Sequence, residues 1–368
     1  MTTTGPTTAP PQSPPSRLRG LHPGWFAAVM GTAILAVATY DNPAGLTALE
    51  ATAHALGIAI AVLAYLLAAV LIVAYAARWI RHRDAALADL RHPVMGAMYG
   101  TVPGGLLVLA VMTSVIGPAV LSASAVTAII AVLAIIGGTL AVVISVAFAY
   151  VLFTGEAPVA QVNGGWFIPP VVTIILPMVL IPLMSHVDSD TARLLLMLGY
   201  AFYGMGLLLF ALVMSLLHDR LILHPLPGAP MAPSLWIGLG PVGVAVLALL
   251  ALARAGEPAF GTAAGTVALV SLLAATGIWG FGAWWLAASI ALLVRYLRAG
   301  TLPYSLAWWA FTFPLGAYTV ATLTLARAWN VTPIEWFAVL LYAGLVTFWV
   351  IVTVGTVRAT RTGQVWQR

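Results

Sequence analysis

The groups in this chain that could move protons, hold a metal or attack a substrate are ten carboxylates and seven histidines, with no cysteine among them. The absence of cysteine removes disulfides, thiolate ligands and thiol nucleophiles. The carboxylates are Asp41, Glu50, Asp84, Asp89, Glu156, Asp188, Asp190, Asp219, Glu257 and Glu335. When the chain is divided into apolar runs between charges, every one of them falls in a loop or at the end of a run. Coupled carriers and proton relays place titratable groups at mid-depth in the membrane, so the pattern favours passive conduction and leaves a carrier open. The histidines are His22, His54, His82, His92, His186, His218 and His224, and only His54 lies within a run, near its start. Haem ligation needs axial histidines inside helices at matched depth. No phosphate-binding loop, HExxH pair or serine-nucleophile motif occurs, so the chain reads as neither an enzyme nor a holder of cofactors or metals.

The elements that surround these groups are set by composition. Of 368 residues, 62% are hydrophobic and 7% charged, with a mean hydropathy of +1.04. Soluble domains carry about 25% charge, so the chain is an integral membrane protein. Its apolar runs are long and continuous rather than short and alternating, which selects helices over a barrel. The net charge of +5 comes from arginine alone. Basic loops of this kind orient a membrane protein and do not imply nucleic acid.

Ten spans follow, near residues 23–40, 51–77, 93–116, 125–153, 166–184, 191–217, 233–253, 261–296, 303–326 and 333–357. The runs 125–153 and 261–296 exceed one span but are too short for two, and each is expected to form one long tilted helix. Residues 1–20, rich in Thr and Pro, are expected to be a disordered cytoplasmic tail. The ten-helix domain covers 21–358, and 359–368 form a C-terminal tail. With both termini inside, twelve arginines collect on the cytoplasmic side and three (Arg193, Arg254 and Arg327) outside, in keeping with the positive-inside rule.

Proline divides the spans into two kinds. The odd-numbered spans open near a proline, and four carry an interior one: Pro103, Pro177, Pro241 and Pro314. The first span has Gly31 in the comparable place. Successive breaks lie about 70 residues apart, one helical hairpin each. A helix with freed backbone groups must be shielded from lipid. The chain is therefore expected to form five hairpins, with the broken helices inside around a central pore and the straight ones facing lipid. In the ninth span Trp308, Trp309, Phe311 and Phe313 crowd the turn before Pro314, as a plug or constriction would. Few acidic groups and an arginine-rich mouth favour an anion over a cation as the permeant species.

Four short motifs, in order along nearly the whole chain, resemble the tellurite-resistance/C4-dicarboxylate transporter family, which includes plant slow anion channels, fungal malate permeases and fungal sulfite efflux pumps. HPGWFAAVMGT (22–32) is similar to the family's first-helix motif, with Ala33 where glycine is usual. HPVMGAMYGTVP (92–103) and WFIPP (166–170) resemble the starts of the third and fifth helices, and AWWAFTFPLG (307–316) resembles the ninth. The resemblance implies ten helices in five hairpins, a pore lined by the odd-numbered helices, and a homotrimer in the cell membrane. It also implies occlusion by a ninth-helix phenylalanine, Phe313 on the Phe-Pro register or Phe311 if the register slips. The permeant species would be inorganic anions, sulfite, tellurite-related oxyanions or C4-dicarboxylates. The alternative is a proton-coupled dicarboxylate or sulfite carrier on the same fold.

Overall fold

The computed structural model describes residues 17–366, so most of the expected N-terminal tail lies outside the described residues. Ten helices of 13 residues or more run through it: α1 (Phe26–Tyr40), α2 (Thr47–Arg81), α3 (Thr101–Ile116), α4 (Ala123–Thr154), α5 (Ile168–Leu180), α6 (Ser189–Leu223), α7 (Leu239–Ala255), α8 (Ala264–Arg298), α9 (Phe313–Trp329) and α10 (Thr332–Arg361). The two overlong apolar runs each form one uninterrupted helix, α4 of 32 residues and α8 of 35. Among the described residues, nine helical stretches are long and apolar enough to cross a bilayer. The expected ninth span falls short, because it divides into a 3-10 segment (Leu306–Phe311) and the 17-residue α9. Past the expected domain end at 358, α10 continues to Arg361, and a 3-10 turn, Gln364–Trp366, follows.

Packing follows the alternation of the sequence. Each odd helix packs on the even helix after it, giving five hairpins. The odd helices also touch one another in cyclic order, α1 to α3, α5, α7, α9 and back to α1, and so close a ring. Every even helix leans on the next odd helix and lies outside the ring. Burial separates the two layers. The central windows of the first four odd stretches are 83, 67, 67 and 72% buried, against 22, 28, 28, 11 and 22% for the even ones. Large aliphatic side chains such as Leu66, Val70 and Val73 of α2, Ile135 of α4, Leu208 of α6 and Leu340 of α10 stand exposed on the outer layer. In water such a surface would cost heavily. In a bilayer it meets lipid chains, and the backbone of an unbroken helix is satisfied internally.

Closing a ring of helices needs close backbone approach, and small residues supply it. A Cβ on Gly243 of α7 would lie 2.5 Å from the Ala317 carbonyl carbon and 2.6 Å from the Tyr318 nitrogen of α9. Gly31 of α1 similarly leaves room for Thr312, whose hydroxyl would collide with any side chain there. Because the atoms facing Gly243 are backbone, the contact cannot relax by a rotamer change. Gly243→Ala is expected to lower stability by about 1–3 kcal/mol through overpacking, read as a lower melting temperature in detergent. Gly265→Ala, with nothing near the added methyl, is the matched control and should leave it unchanged.

One end of the bundle gathers the arginines and the starts of the odd helices. There Arg78, near the end of α2, is fully buried. Its Nη2 pairs with Asp89 at 2.6 Å, its Nη1 donates to the Tyr99 hydroxyl at 3.0 Å, and its Nε donates to the Arg19 carbonyl at 3.3 Å. Tyr99 in turn donates to the Ala86 carbonyl at 3.1 Å. One guanidinium thus fastens α2, the short helix Arg83–Leu90, the approach to α3 and the N-terminal segment. A second, exposed pair joins Arg19 to Asp84 at 2.5 Å and holds the Asp84 carboxyl below the usual carboxylate range.

Candidate functional site: a cavity on the ring axis

The odd helices do not start as regular α-helices. α1 follows a 3-10 turn (Pro23–Trp25), α5 one at Gly164–Phe167, α7 a ten-residue 3-10 stretch (Ala229–Gly238) and α9 the segment Leu306–Phe311. α3 follows the short helix Met95–Met98. Pro103, Pro241 and Pro314 all lie in the first turn of the helix that follows. There the missing N–H is an orphan in any case and the fixed φ suits helix entry. Pro177 is interior to α5, and Gly31 is interior to α1. The local sequence thus makes each inner element tight at the arginine-rich end and α-helical farther in.

These openings converge on a cavity of about 130 Å³ lined by all five inner elements, which puts it on the ring axis. The lining residues advance by threes: Gly24, Ala27 and Met30; Met95, Met98 and Thr101; Ile168 and Val171; Met231, Ser234 and Ile237; Ala307, Ala310 and Phe313. A step of three is one turn of a 3-10 helix and nearly one of an α-helix, so each element presents a single face. The innermost lining residue on each run is therefore Met30, Thr101, Val171, Ile237 or Phe313, and these recur at intervals of about 70 residues. Phe313 is the aromatic member of the five. It is 6% exposed, and a Cβ on Gly240 of α7 would lie 3.4 Å from its ring, which places the phenyl group between α9 and α7.

Phe311 faces elsewhere. It is buried in an aromatic cluster, stacked on Phe348 of α10 at 4.8 Å and edge-on to Trp236 at 5.2 Å. Two residues apart across the 3-10 to α junction at Thr312, Phe313 points to the axis and Phe311 toward the outer layer. Trp309 also lines the cavity, with its indole N–H held by Thr356 of α10 at 3.0 Å. Of the other four members of the innermost layer, Met30 and Thr101 lie within the motifs at 22–32 and 92–103, whereas Val171 and Ile237 lie in none. The 70-residue interval of the breaks, shifted outward by one to six residues, is the signal that finds them.

Among the described residues, no Arg, Asp or Glu lines the cavity. Its polar side chains are His22, Thr101 and Ser234. The Thr101 hydroxyl donates to the carbonyls of Met98 at 2.8 Å and Pro23 at 3.0 Å. The Ser234 hydroxyl donates to the Met231 carbonyl at 2.7 Å and accepts from the Gly164 N–H at 3.2 Å. The His22 Nδ1 accepts from the Gly24 N–H at 2.9 Å, which assigns the proton of the neutral ring to Nε2. The wall thus offers polarity without titratable carboxylates, a surface for holding or passing a solute rather than for bond chemistry.

A ring of inner helices around an axial cavity, jacketed by lipid-facing helices, defines an integral membrane protein of the transporter or channel class. Comparison with known proteins fixes the family: residues 20–357 match the SLAC1 profile, described as voltage-dependent anion channel, and the chain belongs to that family. It is 33% identical to an uncharacterized transporter of Methanocaldococcus jannaschii over 95% of this chain and 96% of that one. A second uncharacterized transporter from the same organism is 29% identical over 96% of this chain and 98% of its own length. A sulfite efflux pump of Trichophyton rubrum is 25% identical over 85% of this chain and 84% of the pump.

Proposed function

We propose that small anions cross the membrane along the axis of the five-helix ring, and that the Phe313 side chain blocks that path in the structure described. The observation that carries this reading is the innermost layer of the cavity, in which four aliphatic or small side chains and one phenyl group meet. Both termini lie in the cytoplasm, so anions meet the arginine-rich end first from inside the cell, and the positive charge there raises their local concentration. Of the breaks, Pro103, Pro241 and Pro314 set the entry geometry of their helices, and Gly31 and Pro177 modify α1 and α5 from within. The protein works in the cell membrane as a homotrimer, each subunit with its own path. Sulfite is the first substrate to test, since fungal relatives are sulfite efflux pumps. Inorganic anions, tellurite-related oxyanions and C4-dicarboxylates complete the set.

An uncharged wall favours some of these over others. An ion entering it leaves water without a fixed counter-charge, and that cost climbs steeply with ionic charge. Reversal potentials measured across chloride, nitrate, sulfite and malate gradients are therefore expected to rank the monovalent ions first, with nitrate at least about tenfold more permeable than the malate dianion. Malate permeating as well as nitrate would contradict the uncharged path. The fungal relatives are named as pumps, which favours a second reading, an active carrier on the same fold, taken here as coupled to protons. Uphill sulfite accumulation driven by a pH gradient in proteoliposomes would establish it. The absence of carboxylates from the cavity wall predicts that no such accumulation occurs.

A further inference from the structure

The even helices end on a repeated arginine. α2, α6 and α8 are each 35 residues long, and arginine is fourth from the end in all three: Arg78, Arg220 and Arg295. Arg358 holds the same place in α10. A cation there suits the helix dipole, and Arg295 and Arg358 fill the role while exposed to solvent. Arg78 is buried and is answered by Asp89. Arg220 is different. It is 5% exposed, and its one hydrogen bond among the described residues is Nε to the Val162 carbonyl at 2.7 Å. Among the described residues no carboxylate forms an ion pair with it, and the adjacent Asp219 is exposed.

A guanidinium removed from water needs a counter-charge and acceptors for its forked N–H groups. Here the terminal nitrogens have no hydrogen-bond acceptor and no ion-pair partner among the described residues, and they reach solvent only through the small exposed edge of a side chain that is otherwise buried. Tyr296 of α8, whose hydroxyl donates to the Pro227 carbonyl at 2.5 Å, lies within electrostatic reach of both Arg220 and Arg295. The helix end around it is apolar and outward-facing, with Ile222, Leu223 and Leu297 exposed. The dipole does not explain the burial, because the equivalent arginines serve it from the surface. We propose that Arg220 binds an oxyanion of the phosphate type at the arginine-rich end of α6, either the headgroup of an anionic lipid or a free inorganic oxyanion. The planar fork matches such a group in two-point fashion. The site lies on the outer layer, away from the axial cavity, and stands or falls independently of the Phe313 block.

The test follows the melting temperature of the purified full-length protein in neutral detergent at low salt. Inorganic phosphate or a short-chain phosphatidylglycerol is added, with sodium chloride of equal ionic strength and short-chain phosphatidylcholine as controls. Wild type is expected to gain about 2–4 °C over the controls at saturation. Arg220→Gln should lose that gain, and Arg295→Gln should keep it. An effect of phosphatidylglycerol alone identifies the lipid headgroup, and an equal effect of phosphate identifies the free oxyanion. No gain in wild type, or an undiminished gain in Arg220→Gln, overturns the proposal. Should Arg220→Gln not fold, Arg220→Lys takes its place. It retains the charge without the fork, so its gain should be at most about half that of wild type, and an unchanged gain overturns the proposal.

Discussion

Proteoliposomes carrying Phe313→Ala are expected to pass anions at least about tenfold faster than wild type, a change that needs only about 1.4 kcal/mol off the barrier. Phe313 is the bulkiest of the five side chains in the innermost layer of the cavity, and no other member is aromatic. Its ring is backed by Gly240, which offers no side chain to refill the space. Truncation therefore enlarges the cavity at the one aromatic lining position of its innermost layer. Phe313→Leu, smaller but still branched and apolar, should give an intermediate rate. Phe311→Ala supplies the contrast. Its ring stacks on Phe348 and meets Trp236 edge-on, so truncation removes core packing at a cost of about 3–5 kcal/mol. It should lower the melting temperature without raising flux. Flux measured per reconstituted protein separates the two, and equal rates for wild type and Phe313→Ala would remove the phenyl group as the block.

A stability effect as large as that of Phe311→Ala is expected at Arg78. Arg78→Ala removes the fully buried guanidinium that pairs with Asp89 and donates to the Tyr99 hydroxyl and the Arg19 carbonyl. Breaking a buried pair by removing one member costs about 3–5 kcal/mol. Arg78→Lys keeps the charge beside Asp89 but cannot reach three acceptors from one rigid fork, so part of the loss should remain. Arg298→Ala, an exposed arginine at the end of α8, should lie within about 0.5 kcal/mol of wild type. Melting temperatures of the four proteins in one detergent check the ranking. A near-neutral Arg78→Ala would mean that the segments it joins are held by other contacts.

The alternation of proline between spans carried the architecture. Once broken and unbroken helices are told apart, lipid can face only the unbroken ones, and a ring of inner helices follows. Rules about what hydrocarbon tolerates act span by span, so they survive without knowledge of tertiary contacts. The count of ten crossings was less legible, because Pro314 restarts the ninth helix and shortens its α-helical part to 17 residues. The roles of Phe311 and Phe313 depend on the 3-10 to α junction at Thr312. A change in residues per turn at that point redirects the second side chain, and no periodicity count along the chain displays it. The buried arginines were the least legible. Near the end of an apolar run Arg78 and Arg220 look like Arg295 and Arg358, and all four read as orientation signals. Only the loops that fold over α2 and α6 distinguish them, through Asp89 in the first case and Val162 in the second.

Because the chain has no cysteine, a single introduced thiol reports on one position without background. The measurement that tests the axial path most directly is flux through Met30→Cys, whose side chain lines the cavity from α1, before and after treatment with a negatively charged methanethiosulfonate. Leu66→Cys, exposed on the outer face of α2, is the control. An anion that travels the axis must pass position 30, so modification there is expected to abolish flux, with chloride or sulfite protecting the thiol. Modification at position 66 should leave flux intact. Complete labelling of Met30→Cys with undiminished anion flux would contradict conduction through the ring.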